Sequence, residues 1–366
     1  MTQIDRHKII FLTAGGTGGH MFPAHTLGEK LKEDGYQYVL LTDPRGMVMG
    51  KKTGFKSAIR VFSASLRGNI FAKLKGLILI GIGFLQSLYH MIRIKPAMVA
   101  GFGGYPTVPV IIAARVLGIP ILIHEQNSFL GKANLKLSQF VDKLTVSFPN
   151  TEGISPKVAT KTAHTGMPVR NDIASLHGQK YYPLDNNSPL NLLILGGSLG
   201  AKIFSDIIPE AMSYLPQHYK ERIFLTIQVR PENQKEAKTI LDKANIHYVM
   251  SDFFSNVPQL LSSAHLVISR AGASTIAELT CAGRPSILIP YPKAAEDHQA
   301  ANARILEKYG AAWVMPEDAL TPRSLATRLE ALFALPGTLP KAAEAAQRWA
   351  HPNAADLLKA EALKIL

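Results

Sequence analysis

The sequence predicts an α/β protein made of two doubly wound, parallel-sheet domains. Three observations carry that prediction. The apolar run from Ile9 to Leu12 enters Gly15-Gly16-Thr17-Gly18-Gly19-His20 and then a helical pattern. About 180 residues later, the run from Leu192 to Leu195 enters Gly196-Gly197-Ser198-Leu199-Gly200-Ala201 and a second helical pattern. Short apolar runs alternate with helix-period segments throughout, as in a parallel sheet covered by helices on both faces. The length of 366 residues also exceeds what one core usually supports.

In the first half, the glycine turn opens a helix at about Gly19, carried on over 23–35 with Leu27 and Leu31 four apart. Strands are expected at 38–42 and 60–63. The stretch from Phe71 to Lys95 reads as a helix with a wholly apolar centre, 76–85, flanked by Lys73, Lys75, Arg93 and Lys95. About ten apolar residues are too few to cross a bilayer, which needs about twenty. Two readings stay open: a helix buried in its domain, or one that turns part of its apolar face to lipid while flanking cations meet anionic headgroups. Further strands are expected at 98–100, 119–123 and 143–147. The first of these enters a second glycine turn, 101–106, followed by a helix at 109–117, and the second runs into His124-Glu125-Gln126-Asn127.

The pattern becomes irregular at Gly166-Met167-Pro168-Val169-Arg170 and polar over 178–189. This sets the domains at 1–165 and 190–345, with a hinge at 166–189 and a terminal helix, 346–366, able to cross back to the first domain. In the second half, strands are expected at 190–195, 224–229, 246–250, 266–269 and 285–289. Helices are expected at 198–215, 231–244 and 258–263, after the turn at 270–275, and from Asp297 onward, with a helical tail from Pro322.

Hydrophobic residues make up 47% of the chain and charged residues 18%, a packed globular composition. Forty Lys and Arg against 27 Asp and Glu give a net charge of +13, which favours phosphorylated metabolites or an anionic membrane face as partners. The basic residues are scattered, without a basic block or aromatic interleaving, so nucleic acid is not expected. The single cysteine, Cys281, excludes an internal disulfide and lies in an apolar helical stretch that suits packing. The polar opening, 1–8, carries no secretory signal, so a cytoplasmic setting is expected.

Polar clusters follow expected strands at Thr17 with His20, at 124–127, at Ser198, and at 270–278 with 297–302. Ligands of open α/β sheets bind at strand carboxyl ends, and two such domains would face each other across a cleft. A glycine turn feeding a helix N-terminus offers unpaired N–H groups and a positive dipole end to a phosphate. A departing diphosphate would be met by such turns and by Ser198, Arg170 and Arg270. Glu278, about one turn into its helix, suits either the paired hydroxyls of a ribose or compensation of the helix dipole. His20 and His124 can each take a proton near neutral pH or serve as hydrogen-bonded structural residues. No residue set calls for a metal.

Gly15 to His20, Gly103-Gly104-Tyr105-Pro106, His124 to Asn127, Gly196-Gly197-Ser198-x-Gly200-Ala201, Ser269-Arg270-Ala271-Gly272-Ala273 and Asp297-His298-Gln299-x-x-Asn302-Ala303 occur in that order. This set, from about residue 8 to about 315, resembles the MurG family of bacterial peptidoglycan glycosyltransferases. The resemblance implies a GT-B fold, two Rossmann-like domains with the donor held mainly by the second. It implies inverting transfer of N-acetylglucosamine from UDP-N-acetylglucosamine to the C4 hydroxyl of the muramyl sugar of lipid I, giving lipid II, with no metal or other cofactor required. By position, Thr17, Gly18, Gly19, Asn127, Arg170, Ser198, Arg270, the turn Ala273-Ser274-Thr275-Ile276-Ala277-Glu278 and Gln299 would contact the donor. A backbone group near Phe254 would hold the uracil, and Glu278 the ribose. His20 matches the family's proposed base, with His124 a second candidate, and Gly15, Gly16, Gly104, Tyr105 and Glu125 fall on the acceptor side. The family's membrane patch coincides with Phe71 to Lys95, which favours the lipid-facing reading, a peripheral place on the cytoplasmic face of the inner membrane, and contacts with cell-wall assembly proteins.

Two positions depart from the family's pattern: Met167 replaces a common Asn beside the hinge, and Leu199 replaces a common Gln. Alternatives on the same fold are a UDP-sugar epimerase, which has no use for a lipid-facing helix, and a non-catalytic nucleotide-sugar binding protein. A nicotinamide-dependent enzyme is a third. Asp43 lies at the expected distance for a ribose-binding acid, although the first loop lacks a clean G-x-G-x-x-G.

Overall fold

The computed structural model describes residues 8–66, 68–185, 188–197, 200–294 and 297–366. The chain divides into two compact units, Met1–Arg170 with Asn353–Leu366, and Asn171–Pro352. The first contains β1 (Ile9–Thr13), β2 (Gln37–Thr42), β3 (Ala58–Arg60), β4 (Met98–Gly101), β5 (Ile121–Glu125), β6 (Lys143–Val146) and β7 (Thr162–His164). They form one parallel sheet in the order β3-β2-β1-β4-β5-β6-β7. β1 takes the central place because Ile10, Phe11 and Leu12 are apolar on both faces, and all three are fully buried between helical layers.

Several boundaries move from their sequence expectation. β3 ends at Arg60, and only the Val61 N–H, donating to Thr42 O at 2.8 Å, carries on the pairing into 61–63. β5 runs to Glu125, so His124 and Glu125 stand inside the strand rather than after it. The helix Pro44–Thr53 was not anticipated. Asp43 caps it by accepting from Gly46 N–H at 2.7 Å, and Gly54 closes it in the left-handed conformation. One oxygen of Asp43 is thereby engaged at the start of its own helix.

The terminal helix Ala354–Leu363 belongs to the first unit. Leu358 and Ala362 join the core of Leu27, Leu31 and Met98, while Lys30 pairs with Asp356 at 2.9 Å and Lys143 with Glu361 at 2.5 Å.

The second unit carries β8 (Leu190–Leu195), β9 (Ile223–Gln228), β10 (His247–Ser251), β11 (Leu266–Ser269), β12 (Ser286–Leu288) and β13 (Ala312–Val314), all parallel in the order β10-β9-β8-β11-β12-β13. The helix after β8 starts at Lys202, later than expected, and β13 is too short to stand out by its pattern. The polar segment before β8 is fastened to this unit. Tyr181 donates its hydroxyl to His265 O at 2.9 Å beneath the Arg284 guanidinium, and Gln347 Nε2 donates to Gln179 O at 2.8 Å. Cys281 is buried, and burial pushes its thiol up to about 12.

The helix Ile70–Ile94 has 25 residues, so by length and composition it could cross a membrane, correcting the expectation from its ten-residue centre. One face is nonetheless packed on the first unit. Gly83 lies so close to Phe62 that an added Cβ would stand 1.9 Å from the Phe62 carbonyl oxygen. Gln86 Oε1 accepts from Phe62 N–H at 2.9 Å. The opposite face is a stripe of exposed apolar side chains at helical spacing, Phe71, Leu74, Ile78, Leu85, Tyr89 and Ile92.

Candidate active site

In the first unit the turn after β1 is locked onto the turn after β4. Gly15 N–H donates to Gly103 O at 2.9 Å, the Thr107 hydroxyl donates to the same carbonyl at 2.8 Å, and Phe102 N–H reaches Thr13 O. Gly104 has φ +87°, and a Cβ there would lie 2.7 Å from Gly15 Cα, so only glycine permits this approach. His20 stands in the first turn of the helix Gly18–Glu33 with its ring beside both glycines. Cβ atoms built on Gly15 and Gly103 would each lie 3.3 Å from a ring nitrogen, Nδ1 and Nε2 respectively. Thr17 precedes the helix but makes no capping bond; its hydroxyl faces His20 Nδ1 at 3.0 Å. No side chain lies within 4 Å of a Cβ built on Gly19, which leaves the space over the helix N-terminus open there. Tyr105 is exposed beside this turn. The structure therefore brings together Gly15, Gly104, Thr17 and His20.

His124 and Glu125 have different tasks from those expected. His124 is fully buried, with Nδ1 3.0 Å from Thr145 Oγ1 and Nε2 3.1 Å from Ser147 Oγ. Thr145 donates its hydroxyl proton to Ile123 O, so it accepts from Nδ1–H and leaves Nε2 to accept from Ser147. Burial, with the charge of His164, lowers the His124 pKa to about 3. A ring with both nitrogens satisfied inside the sheet is no general base, which corrects that reading. Glu125 is likewise buried, and burial raises its carboxyl pKa. Its oxygens accept from the backbone N–H groups of Asn127 and Gly131 and from the side-chain amides of Asn127 and Asn134. Glu125 therefore shapes the loop that carries Asn127 rather than presenting a carboxylate to an acceptor.

The buried imidazole has a pH consequence. Unfolded, His124 takes a proton near its ordinary 6.5; folded, it does so only near 3. The unfolded chain thus binds more protons in between, and stability present above pH 6.5 is lost as the pH falls towards 3. The melting temperature is expected to decline across that window, and His124→Asn should flatten the decline while lowering stability at pH 8.

In the second unit, Gly197 and Gly200 adopt positive φ after β8, and Gly200 N–H closes the turn on Gly197 O at 3.0 Å. Ser198 and Leu199 lie outside the described residues. Sequence reading missed the support of this turn. Gln228, at the end of β9, accepts from Gly196 N–H at 2.9 Å, and Arg230 Nη2 donates to Gly200 O at 3.0 Å. A glutamine closing an apolar strand at its carboxyl end was the available signal.

The helix Ala273–Cys281 starts from Gly272 without a side-chain cap, so its first N–H groups stay available to an anion. Ala273, Ile276 and Ala277 are buried, while Ser274, Thr275 and Glu278 are partly exposed on the same turns. Gln299, in the first turn of the helix His298–Lys308, accepts from Tyr291 N–H at 2.9 Å. Phe254 and Arg170 are partly buried in the second and first units respectively. Arg270 is anchored within its own unit. Its guanidinium lies between the rings of Phe204 and Tyr291, at 5.2 and 5.3 Å, pairs with Glu317 at 2.5 Å, and donates to Ile289 O and Pro290 O. So engaged through Nη1, it braces the turn.

Two family models match the chain, the glycosyltransferase family 28 N-terminal domain over residues 10–146 and the family 28 C-terminal domain over 191–358. The chain is 44% identical to the UDP-N-acetylglucosamine–N-acetylmuramyl-(pentapeptide) pyrophosphoryl-undecaprenol N-acetylglucosamine transferase of Paramagnetospirillum magneticum, covering 96% of this chain and 95% of that one. It is 43% identical to the same-named protein of Rhodospirillum centenum, covering 94% and 91%. Among solved structures it is similar to Acinetobacter baumannii MurG, with a TM-score of 0.80, 31% identity, and coverage of 98% and 99%.

Proposed function

This chain belongs to glycosyltransferase family 28, and within it to the MurG transferases with their GT-B fold, and from that premise we propose that it transfers N-acetylglucosamine from UDP-N-acetylglucosamine to the C4 hydroxyl of the muramyl sugar of lipid I, giving lipid II. The observation that carries the reading is similarity above 40% to transferases of that name over nearly the whole chain. An epimerase or a silent binding protein is not favoured by those relatives.

In the reaction proposed, the C4 oxygen attacks the anomeric carbon from the face opposite the diphosphate. The new C–O bond forms as the bond to the diphosphate breaks, and the configuration inverts. His20 takes the hydroxyl proton on Nε2. With Nδ1–H donated to Thr17 Oγ1, the neutral tautomer places its lone pair there. The charge growing on departing UDP is met by the Gly197 N–H of the glycine turn and by the first N–H groups of the helix Ala273–Cys281, with no metal needed. The proposal keeps Thr17, Gly18, Gly19, Asn127, Arg170, Ser198, Ser274, Thr275 and Gln299 as donor contacts, Glu278 for the ribose and the backbone at Phe254 for the uracil. Gly15, Gly16, Gly104 and Tyr105 remain on the acceptor side.

We also propose a peripheral site on an anionic membrane face. The first unit holds 23 Lys and Arg against 10 Asp and Glu, whereas the second holds 17 of each, so the whole excess of +13 rides on the unit with the exposed apolar helix. Labelled UDP-N-acetylglucosamine incubated with a lipid I analogue should yield labelled lipid II; donor consumed without acceptor, or no transfer to any muramyl lipid, would sink the assignment.

A further inference from the structure

Gln228 is buried, and its amide is spent entirely on the backbone of two separate loops. Oε1 accepts from Gly196 N–H at 2.9 Å, while Nε2 donates to Gly197 O at 3.1 Å and to Asp252 O at 3.0 Å. The Gly197 carbonyl also receives Gly200 N–H, which fixes the glycine turn from within. On the other side, the residues after β10 are folded back on themselves, with Ser251 Oγ donating to Phe253 O at 2.8 Å. One side chain thus staples the glycine turn to the segment that leads to Phe254.

We propose that Gln228 is a positioning residue for the nucleotide, setting the spacing between the base-side segment at 252–254 and the phosphate-side glycine turn. The proposal rests on the nucleotide-sugar reading above. A nucleoside diphosphate is a ligand of fixed span, and it gains from both ends only where both loops are held at the matching separation. Substitutes lack part of the staple. Glutamate at neutral pH keeps the acceptor for Gly196 but has no N–H for Gly197 or Asp252. Methionine matches the length and makes none of the three bonds, and asparagine is one methylene short.

The test compares UDP with uridine in the full-length chain. Uridine presents the base and ribose without the diphosphate, so it makes no demand on the glycine turn. Calorimetric titration of Gln228→Met and Gln228→Glu should show UDP binding weakened about tenfold with uridine binding nearly unchanged. In turnover, KM for UDP-N-acetylglucosamine should rise while KM for a lipid I analogue stays put. If Gln228→Met fails to fold, Gln228→Glu, which keeps the Gly196 bond, carries the comparison. An unchanged UDP-to-uridine affinity ratio in a folded variant overturns the proposal, as does an equal loss for UDP, uridine and acceptor. Wild-type protein that binds no UDP and transfers no sugar would overturn the nucleotide-sugar reading instead.

Discussion

Replacing His20 with alanine is expected to slow turnover by about 10²- to 10⁴-fold, the range lost with a general base, while UDP affinity stays nearly unchanged. The expectation comes from the ring's setting beside Gly15 and Gly103, with Thr17 Oγ1 facing Nδ1. Thr17→Val should cost less, because it removes the orienting oxygen but leaves the base. Gly103→Ala should fall between the two. Its Cβ would sit 3.3 Å from Nε2, and its φ of +87° suits only glycine. Single-turnover rates across pH separate the roles: an acid limb in the wild type that disappears in His20→Ala identifies the titrating group. Full activity of His20→Ala would remove it as the base.

Placing glutamates at Leu77 and Leu85 together should weaken binding to anionic vesicles by about 100-fold or more. Each leucine withheld from an apolar phase forfeits about 1.5–3 kcal/mol, and every 1.4 kcal/mol is about tenfold. Both side chains are more than half exposed, at 55% and 64%, so the fold should not suffer. Because the first unit carries the entire excess of positive charge, wild-type binding should also weaken as salt rises. The helix Ile70–Ile94 is held against Phe62 along one face, so it should lie on the bilayer, and alkaline washing should release the protein. Vesicle binding that ignores both the double substitution and salt would refute a surface site on this helix. Turnover of a water-soluble acceptor analogue should be unaffected, since neither leucine belongs to the glycine turns.

The parallel sheets were legible because their strands are short apolar runs punctuated by glycine, a pattern that survives any tertiary arrangement. Strand ends were less so. His124 and Glu125 looked like polar residues beyond a strand, yet β5 includes them because Thr145, Ser147 and Asn134 supply bonds that make their burial tolerable. Those partners are 9 to 23 residues away, beyond any local pattern. The setting of Arg270 was hidden for the same reason. A cation at a glycine turn suggests phosphate, and nothing local to it announces Glu317 or the rings of Phe204 and Tyr291. The pairing of His20 with Thr17 and Gly15 was legible because they are close in the chain, whereas the approach of Gly103 was not.

The helix Ala354–Leu363 has a consequence for synthesis. Leu358 and Ala362 complete the core beneath the helix Gly18–Glu33, yet they are made only after all of Asn171–Pro352 has been synthesised. The first unit therefore waits with an open apolar seam beside Leu27 and Leu31 while the second unit folds. A fragment ending at Arg170 should keep that seam exposed and aggregate, whereas one joined by a short linker to residues 353–366 should stay soluble. Completion of the first unit's core therefore follows synthesis of the second unit.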